Sequence, residues 1–369
     1  AAPDDAGIRN LLANLALGQG RAGEALTHLD AIRSAPAAES GFMRAQALVG
    51  LGRIDDGLAA YRTLCQDFPG FAAGHAAHGT LLSTLGRWDE AVAALREANK
   101  LDPQSAGILN NLGNALKDAG EMRAAIAVYE AALARAPDFT DACEARLFCM
   151  HYLPETTPEA IFVAAREYNR LCAAPPAVAP VPHANAPQPE RPLRIGYVSG
   201  DFKRHPVGYF IEPVIEQHDR SRFKVTCYST VAQGDDLTKR IAARADTWRV
   251  VAPLDDAALA AAIRADGIDI LIDLSGHTRG ARLLVFARRP APLQVTWLGY
   301  LDTTGLDSID YIIVDPLVLP PAGSRHRTSE APLELPRSYL CYRPPEYAPD
   351  VTPLPAVRTG ALSFGCFNN

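Results

Sequence analysis

Three glycines and three prolines set a 34-residue beat over the first part of this chain. Gly52, Gly86 and Gly120 are 34 residues apart, and so are Pro69, Pro103 and Pro137. Between each Gly and the next Pro runs an amphipathic stretch: Arg53 to Phe68, Arg87 to Asp102, Glu121 to Ala136. A fixed period of this length describes a two-helix unit that cannot bury its apolar face alone and must stack on its neighbours. The consequence is an α-solenoid, whose long concave surface suits the holding of another polypeptide.

The pattern holds position by position. The third unit has Gly79, Leu82, Gly86, Ala91, Leu95, Ala98 and Pro103; the fourth has Leu112, Gly113, Leu116, Gly120, Ala125, Tyr129, Ala132 and Pro137. Small residues let helices approach, and large ones fill the space between them. The Gly ends the first helix and the Pro stops the second. The second unit keeps Leu48, Gly52, Tyr61 and Pro69, and a first, slightly shifted unit has Leu17, Gly20, Ala25, Leu29 and Pro36. These are about four tetratricopeptide repeats over residues 1–137. Residues 138–173 read as two capping helices, the second opened by Thr157 as a cap with Pro158 at its first position.

Residues 174–192 hold seven prolines in nineteen positions and can be neither helix nor central strand, so they form a linker or a surface-hugging connection. From Leu193 short β-branched runs alternate with helical segments. Strands are expected at Leu193–Ser199, Phe223–Thr230, Trp248–Val251, Ile268–Leu274, Leu293–Leu298 and Tyr311–Val314, and helices at Gly208–Gln217, Asp236–Ala245, Asp255–Ala265 and Ala281–Arg288. Such alternation predicts a Rossmann-like, doubly wound parallel α/β sheet. Ligands of such sheets sit at the carboxyl ends of the strands and at helix N-termini.

Composition excludes several function classes. With 48% hydrophobic and 21% charged residues and a net charge of −6, the chain has no general pull toward nucleic acid or an anionic membrane. No apolar run is long enough for a membrane span, and the first residues have no secretory pattern. The first residue is not Met, so upstream residues are expected. The seven cysteines are scattered without a C-x-x-C pair, which speaks against a disulfide framework or zinc site and for a reducing, cytoplasmic setting.

Three strand ends could carry chemistry. The first is Ser199-Gly-Asp-Phe-Lys-Arg-His205-Pro206-Val-Gly208, where Lys203, Arg204 and His205 crowd near a helix N-terminus. An anion would be favoured there, and His205 could act as a base; the plainer alternative is a solvated basic loop. The second is Asp273-Leu-Ser275-Gly276-His277-Thr278-Arg279-Gly280, suited to phosphate or sugar, or else a turn with Thr278 as a helix cap. Asp273 lies in an apolar run and, if buried, requires a partner. The third is Trp297-Leu298-Gly299-Tyr300-Leu-Asp302-Thr-Thr-Gly305, whose aromatics could stack on a sugar or simply be core. There is no GxGxxG, P-loop, GxSxG or HExxH motif.

Taken together, Leu193–Gly208, Asp266–Pro292 and Gln294–Gly305 resemble the amino-terminal catalytic lobe of the O-linked N-acetylglucosamine transferase family, which includes the SPINDLY proteins and bacterial relatives. Members place tetratricopeptide repeats before a two-lobed glycosyltransferase of GT-B architecture. The resemblance spans the repeats and essentially everything from 193 onward, with the spacing of a bacterial member. It implies an amino-terminal lobe over residues 193–360 and the start of a second, nucleotide-binding lobe at 361–369.

The resemblance also implies roles. His205, in Asp201-Phe-Lys-Arg-His-Pro206, inherits the proposed general base, acting as base or hydrogen-bonding orienter, with Pro206 beside it. Gly276, His277 and Thr278 would line the same cleft, as would Leu298, Gly299 and Tyr300. The family usually continues with Pro-Gly where this chain has Leu301-Asp302, which changes that loop. Asn369 falls where an amide side chain contacts the nucleotide. The family then continues to a Lys that neutralises the diphosphate, so the chain is expected to be a segment of a longer protein and inactive by itself. The implied reaction is an inverting transfer of N-acetylglucosamine from its UDP donor to Ser or Thr hydroxyls, with no cofactor and no metal. Its partners are the UDP-sugar and a polypeptide acceptor along the repeat groove. The alternatives are another donor, GDP-fucose or UDP-glucose, and a non-catalytic repeat adaptor.

Overall fold

A computed structural model describes residues 6–32, 37–173, 182–188, 190–318, 327–345 and 347–365. Its first part is a stack of antiparallel helix pairs: α1 (Ala6–Gly18) with α2 (Ala22–Asp30), α3 (Ala38–Gly50) with α4 (Ile54–Asp67), α5 (Ala72–Thr84) with α6 (Trp88–Leu101), and α7 (Ala106–Asp118) with α8 (Met122–Leu133). The glycines of the 34-residue beat stand in the turn within each pair, where Gly52, Gly86 and Gly120 have φ of 74°, 73° and 83°. Only a residue without Cβ takes that left-handed turn cheaply. Close packing follows from the small positions as well. A Cβ on Gly113 would stand 2.5 Å from the ring of Tyr129, which is fully buried.

Two further helices, α9 (Thr140–Met150) and α10 (Pro158–Leu171), close the stack. Thr157 caps α10 by accepting from the Ala160 N–H at 3.2 Å, with Pro158 in the first turn. Of the Pro-rich connection, residues 174–181 and 189 lie outside the described residues. The described part hugs the lobe: Asn185 Nδ2 donates to the Gly267 and Ile268 carbonyls and to Asp269, which Arg191 also grips with both Nη atoms.

The second part alternates strand and helix: β1 (Leu193–Ser199), α11 (Pro206–Gln217), β2 (Phe223–Ser229), α12 (Asp236–Arg244), β3 (Thr247–Val250), α13 (Asp256–Ala265), β4 (Ile270–Asp273), α14 (Leu283–Ala287), β5 (Leu293–Thr296), β6 (Tyr311–Val314), β7 (Ala331–Glu334) and α15 (Pro355–Thr359). The seven strands form one parallel sheet in the order β3-β2-β1-β4-β5-β6-β7. Both faces are covered, as a parallel sheet requires. Ile195, Tyr197, Val225 and Ile272 pack with Ile211 and Ile215 of α11 and Leu237 and Ile241 of α12. Val198, Tyr228 and Leu271 pack on the other face with Leu259 and Ile263 of α13 and Phe286 of α14.

That second core does not stop at the lobe. It continues through Leu306 and Ile309 into Leu147 of α9 and Ile161, Ala165 and Tyr168 of α10. The repeat stack and the α/β lobe are therefore joined by one apolar core. The expected elements are all present, with differences at their ends. The strands placed at 268–274 and 293–298 are only Ile270–Asp273 and Leu293–Thr296, and the helix placed at 281–288 is only Leu283–Ala287. β7 and α15 come in addition. Among the described residues no helix is long and apolar enough to cross a membrane.

Candidate functional site

Strand order reverses between β1 and β4, the place where an open parallel sheet forms a crevice at its carboxyl edge. The three loops singled out from sequence follow β1, β4 and β5, three adjacent strands, and they touch. A Cβ on Gly200 would lie 3.3 Å from the Gly280 carbonyl, which joins the first loop to the second. Gly276 has φ 54°, and a Cβ there would lie 2.3 Å from Tyr300 Cβ, which joins the second to the third. Gly299 lies against the backbone of Leu274, where a Cβ would stand 2.0 Å from the carbonyl oxygen.

His205 is the N-cap of α11 and Pro206 its first residue. The His205 side chain is 42% exposed at this helix start. Its Nδ1 accepts the Val207 N–H at 3.3 Å and stands 3.6 Å from Asp201 Oδ2. The first is a hydrogen bond; the second is too long for one. Burial raises the Asp201 carboxyl above its ordinary range, while His205 and Lys203 pull it back. Arg204 does not crowd the helix end: it forms a forked pair with Asp236 of α12, Nε to Oδ1 at 2.7 Å and Nη2 to Oδ2 at 3.0 Å.

The second loop is built on Asp273, which is 1% exposed and fully partnered. It accepts from the Ser275 N–H at 3.1 Å, the Gly276 N–H at 2.8 Å and the Thr296 hydroxyl at 2.8 Å. Burial lifts its carboxyl to about 6, against these three hydrogen bonds. Thr278 does not cap a helix; its hydroxyl donates back to the Ser275 carbonyl at 2.7 Å, and α14 starts only at Leu283. His277 is 1% exposed, wedged edge-on between the rings of Tyr168 and Tyr300. Burial lowers its pKa to about 4, so the ring is neutral, with Nε2 donating to the Thr304 carbonyl at 2.8 Å. Its Nδ1 is buried without a partner among the described residues.

In the third loop Leu298 has φ 79°, and the Gly299 N–H donates to the Trp297 carbonyl at 3.0 Å. This is a γ-turn with a leucine at its strained centre. Trp297 and Tyr300 are both buried, yet each spends its polar atom: Trp297 Nε1 donates to the Tyr339 carbonyl, and Tyr300 Oη meets His151 Nε2 at 2.7 Å. Asp302 is lifted to about 6 by burial, opposed by the Thr303 N–H. Glu330 is buried against the Thr303 hydroxyl at 2.6 Å, the Thr304 N–H at 2.8 Å and the Thr304 hydroxyl. Asn369 lies outside the described residues. Among the described residues no group of three or more His, Cys, Asp or Glu is placed to hold a metal ion.

Several supporting residues come from the capping helices and have no signal in the sequence. His151 holds Tyr300, and Tyr168 packs on His277 while donating to Glu144 at 2.9 Å. Arg166 donates to the Gly305 carbonyl at 2.7 Å and pairs with Asp307 at 2.6 Å, and Asn169 Nδ2 binds Asp307 at 2.9 Å. The cap of the repeat stack thus forms one wall under the second and third loops.

Comparison with known proteins agrees with this layout. The model of glycosyl transferase family 41 matches residues 169–341, and that of the tetratricopeptide repeat matches 42–106 and 76–138. A Solanum lycopersicum protein named probable UDP-N-acetylglucosamine--peptide N-acetylglucosaminyltransferase SPINDLY is 40% identical over 239 residues, 63% of this chain and 25% of that protein. The Caenorhabditis elegans UDP-N-acetylglucosamine--peptide N-acetylglucosaminyltransferase is 42% identical over 130 residues, 35% of this chain and 11% of that protein. A solved structure of a Thermobaculum terrenum O-GlcNAc transferase mutant superposes with a TM-score of 0.76 at 39% identity, covering 86% of this chain and 60% of that one. The chain spans about a quarter of the length of the plant relatives.

Proposed function

Since the chain belongs to the O-linked N-acetylglucosamine transferase family, a family 41 glycosyltransferase region joined to tetratricopeptide repeats, we propose that its protein transfers N-acetylglucosamine from UDP-N-acetylglucosamine to Ser or Thr hydroxyls of a polypeptide. The observation that carries this reading is the convergence of three polar loops at the switch point of the sheet, beside the N-terminus of α11. The hydroxyl attacks the anomeric carbon in line with the departing diphosphate and inverts that centre, without a metal ion. The repeat stack supplies the acceptor's approach, and its cap supports the loops from below.

His205 acts in this scheme as an orienter. With Nδ1 accepting the Val207 N–H, Nε2 is the nitrogen left to donate an N–H to an oxygen of the substrate. Asp201, 3.6 Å from Nδ1, supplies a carboxylate on the same side of the ring. Gly276, Thr278, Leu298 and Gly299 shape the cleft through their backbone, while the rings of His277 and Tyr300 support it from within.

The test is transfer to an acceptor peptide by the longer natural protein that contains this chain, offered UDP-N-acetylglucosamine, UDP-glucose and GDP-fucose separately. A peptide mass increase with the first donor is expected. Increase with another donor alone would reassign the sugar. No transfer, together with no nucleotide-sugar binding by calorimetry, would remove the enzymatic reading.

A further inference from the structure

Two cysteines meet where the repeat stack joins the α/β lobe. Cys143 lies in the first turns of α9, and Cys172 is the C-cap of α10. Their sulfurs are 3.4 Å apart, with the Cys172 thiol donating to Cys143. Cys143 is 3% exposed, while Cys172 is partly exposed and lies over it. Buried cysteines ordinarily behave as small inert apolar groups. This pair is not so placed, because the two sulfurs are in contact with each other and the Cys172 residue is partly exposed.

We propose that Cys143 and Cys172 form a redox-modifiable dithiol, closed to an intramolecular disulfide by hydrogen peroxide and reopened by thiol reductants. The sulfurs are already neighbours, 3.4 Å apart across two packed helices, so closure joins two atoms that the fold has brought together. The hydrogen bond from Cys172 favours the thiolate on Cys143, and the charge of Arg146 acts in the same direction. The Cys143 thiolate attacks one peroxide oxygen. The O–O bond breaks, and the second oxygen leaves as hydroxide and takes up the proton that Cys143 released. Cys172 sulfur then attacks the Cys143 sulfenic sulfur. The S–S bond forms, the S–O bond breaks, and that oxygen departs as water with the Cys172 proton. Two thiols are oxidised by one electron each, and one peroxide is reduced to two waters.

The position gives the modification a target. The same α10 presents Tyr168 to His277, and Arg166 and Asn169 to the loop at Gly305–Asp307. The same α9 presents Glu144 to Tyr168. A covalent link between α9 and the end of α10 therefore fixes both helices that support the second and third loops. Reversible disulfides of this kind are the regulatory form found in otherwise reducing compartments.

This inference does not rest on the transferase reading, and its readout requires no activity. The protein is treated with hydrogen peroxide, quenched, alkylated with N-ethylmaleimide in denaturant, digested with trypsin and analysed by mass spectrometry. The cleavage sites Arg146, Arg166 and Arg170 separate the two cysteines. The expected product is a Cys143 peptide joined to a Cys172 peptide with loss of two hydrogens, split again by dithiothreitol. In Cys172→Ser the joined peptide disappears and Cys143 becomes trappable by dimedone as a sulfenic acid. Recovery of both cysteines as separately alkylated thiols, oxidation of either to sulfinic acid without a joined peptide, or pairing of Cys143 with another cysteine would each overturn the proposal.

Discussion

Glu144 makes the junction between the repeats and the lobe sensitive to pH in a calculable way. It stands on α9 beneath Tyr168, whose hydroxyl donates to it at 2.9 Å. Burial raises its carboxyl from the ordinary 4.5 to about 8; the Tyr168 hydroxyl opposes the rise, and Asp141 and Asp273 add to it. In the unfolded chain the group titrates at its ordinary value. The folded protein keeps a proton that the unfolded chain releases. The stability present below pH 4.5 is therefore lost as pH climbs toward 8. At about 1.4 kcal/mol per unit, the loss at pH 7 reaches about 3 kcal/mol, an upper bound because the side chain keeps some solvent contact. Glu144→Gln leaves an acceptor for Tyr168 and removes the titration. Urea unfolding followed through the lobe tryptophans Trp248 and Trp297 should find the variant close to the wild type at pH 5. At pH 7 the variant should be more stable by up to about 3 kcal/mol. Asp273 and Asp302, also raised by burial, titrate in both proteins and largely cancel in the difference. A stability difference that is the same at pH 5 and pH 7 would refute the reasoning.

Two substitutions test the loop packing. Gly276→Ala places a methyl group 2.3 Å from Tyr300 Cβ at a left-handed φ, and should destabilise the lobe by about 2 kcal/mol or more, read by the same unfolding curves. Unchanged stability would contradict the close approach of the second and third loops. Tyr300→Phe and His151→Phe, singly and together, form a double-mutant cycle across the 2.7 Å contact; a coupling of about 1 kcal/mol is expected, and additive effects would show that the contact holds nothing.

What was legible in the chain was what short-range chemistry dictates. The repeat glycines announce their turns because the left-handed φ is a property of the residue itself, and β1, β2, β3 and β6 stand within a residue of expectation because aromatic and β-branched residues recur along them. Asp273 in an apolar run announced a buried carboxylate that needed partners, and it has three. β7 gave no such signal. It is four residues long and contains Pro332, which an edge strand tolerates because the absent N–H has no ladder to serve. The helix at 281–288 begins late because Thr278 bonds back to Ser275, and it stops before Arg289, whose φ is 47°. The contact of His151 with Tyr300 spans 149 positions, and nothing local joins them. Tyr300 read as a choice between core and sugar platform; it is buried, but it is held by the capping helices through a polar bond that only the tertiary fold creates.

The central claim is that these loops form a sugar-transfer cleft with His205 at its working edge. The most direct measurement is the rate of N-acetylglucosamine transfer to a Ser/Thr peptide by the longer natural protein, in wild type, His205→Ala and His205→Gln. Loss of the ring should lower kcat roughly 10²-fold, as removal of one positioned donor does, and Gln, which restores an N–H, should recover part of that loss. A His205→Ala variant that turns over at the wild-type rate would contradict the account.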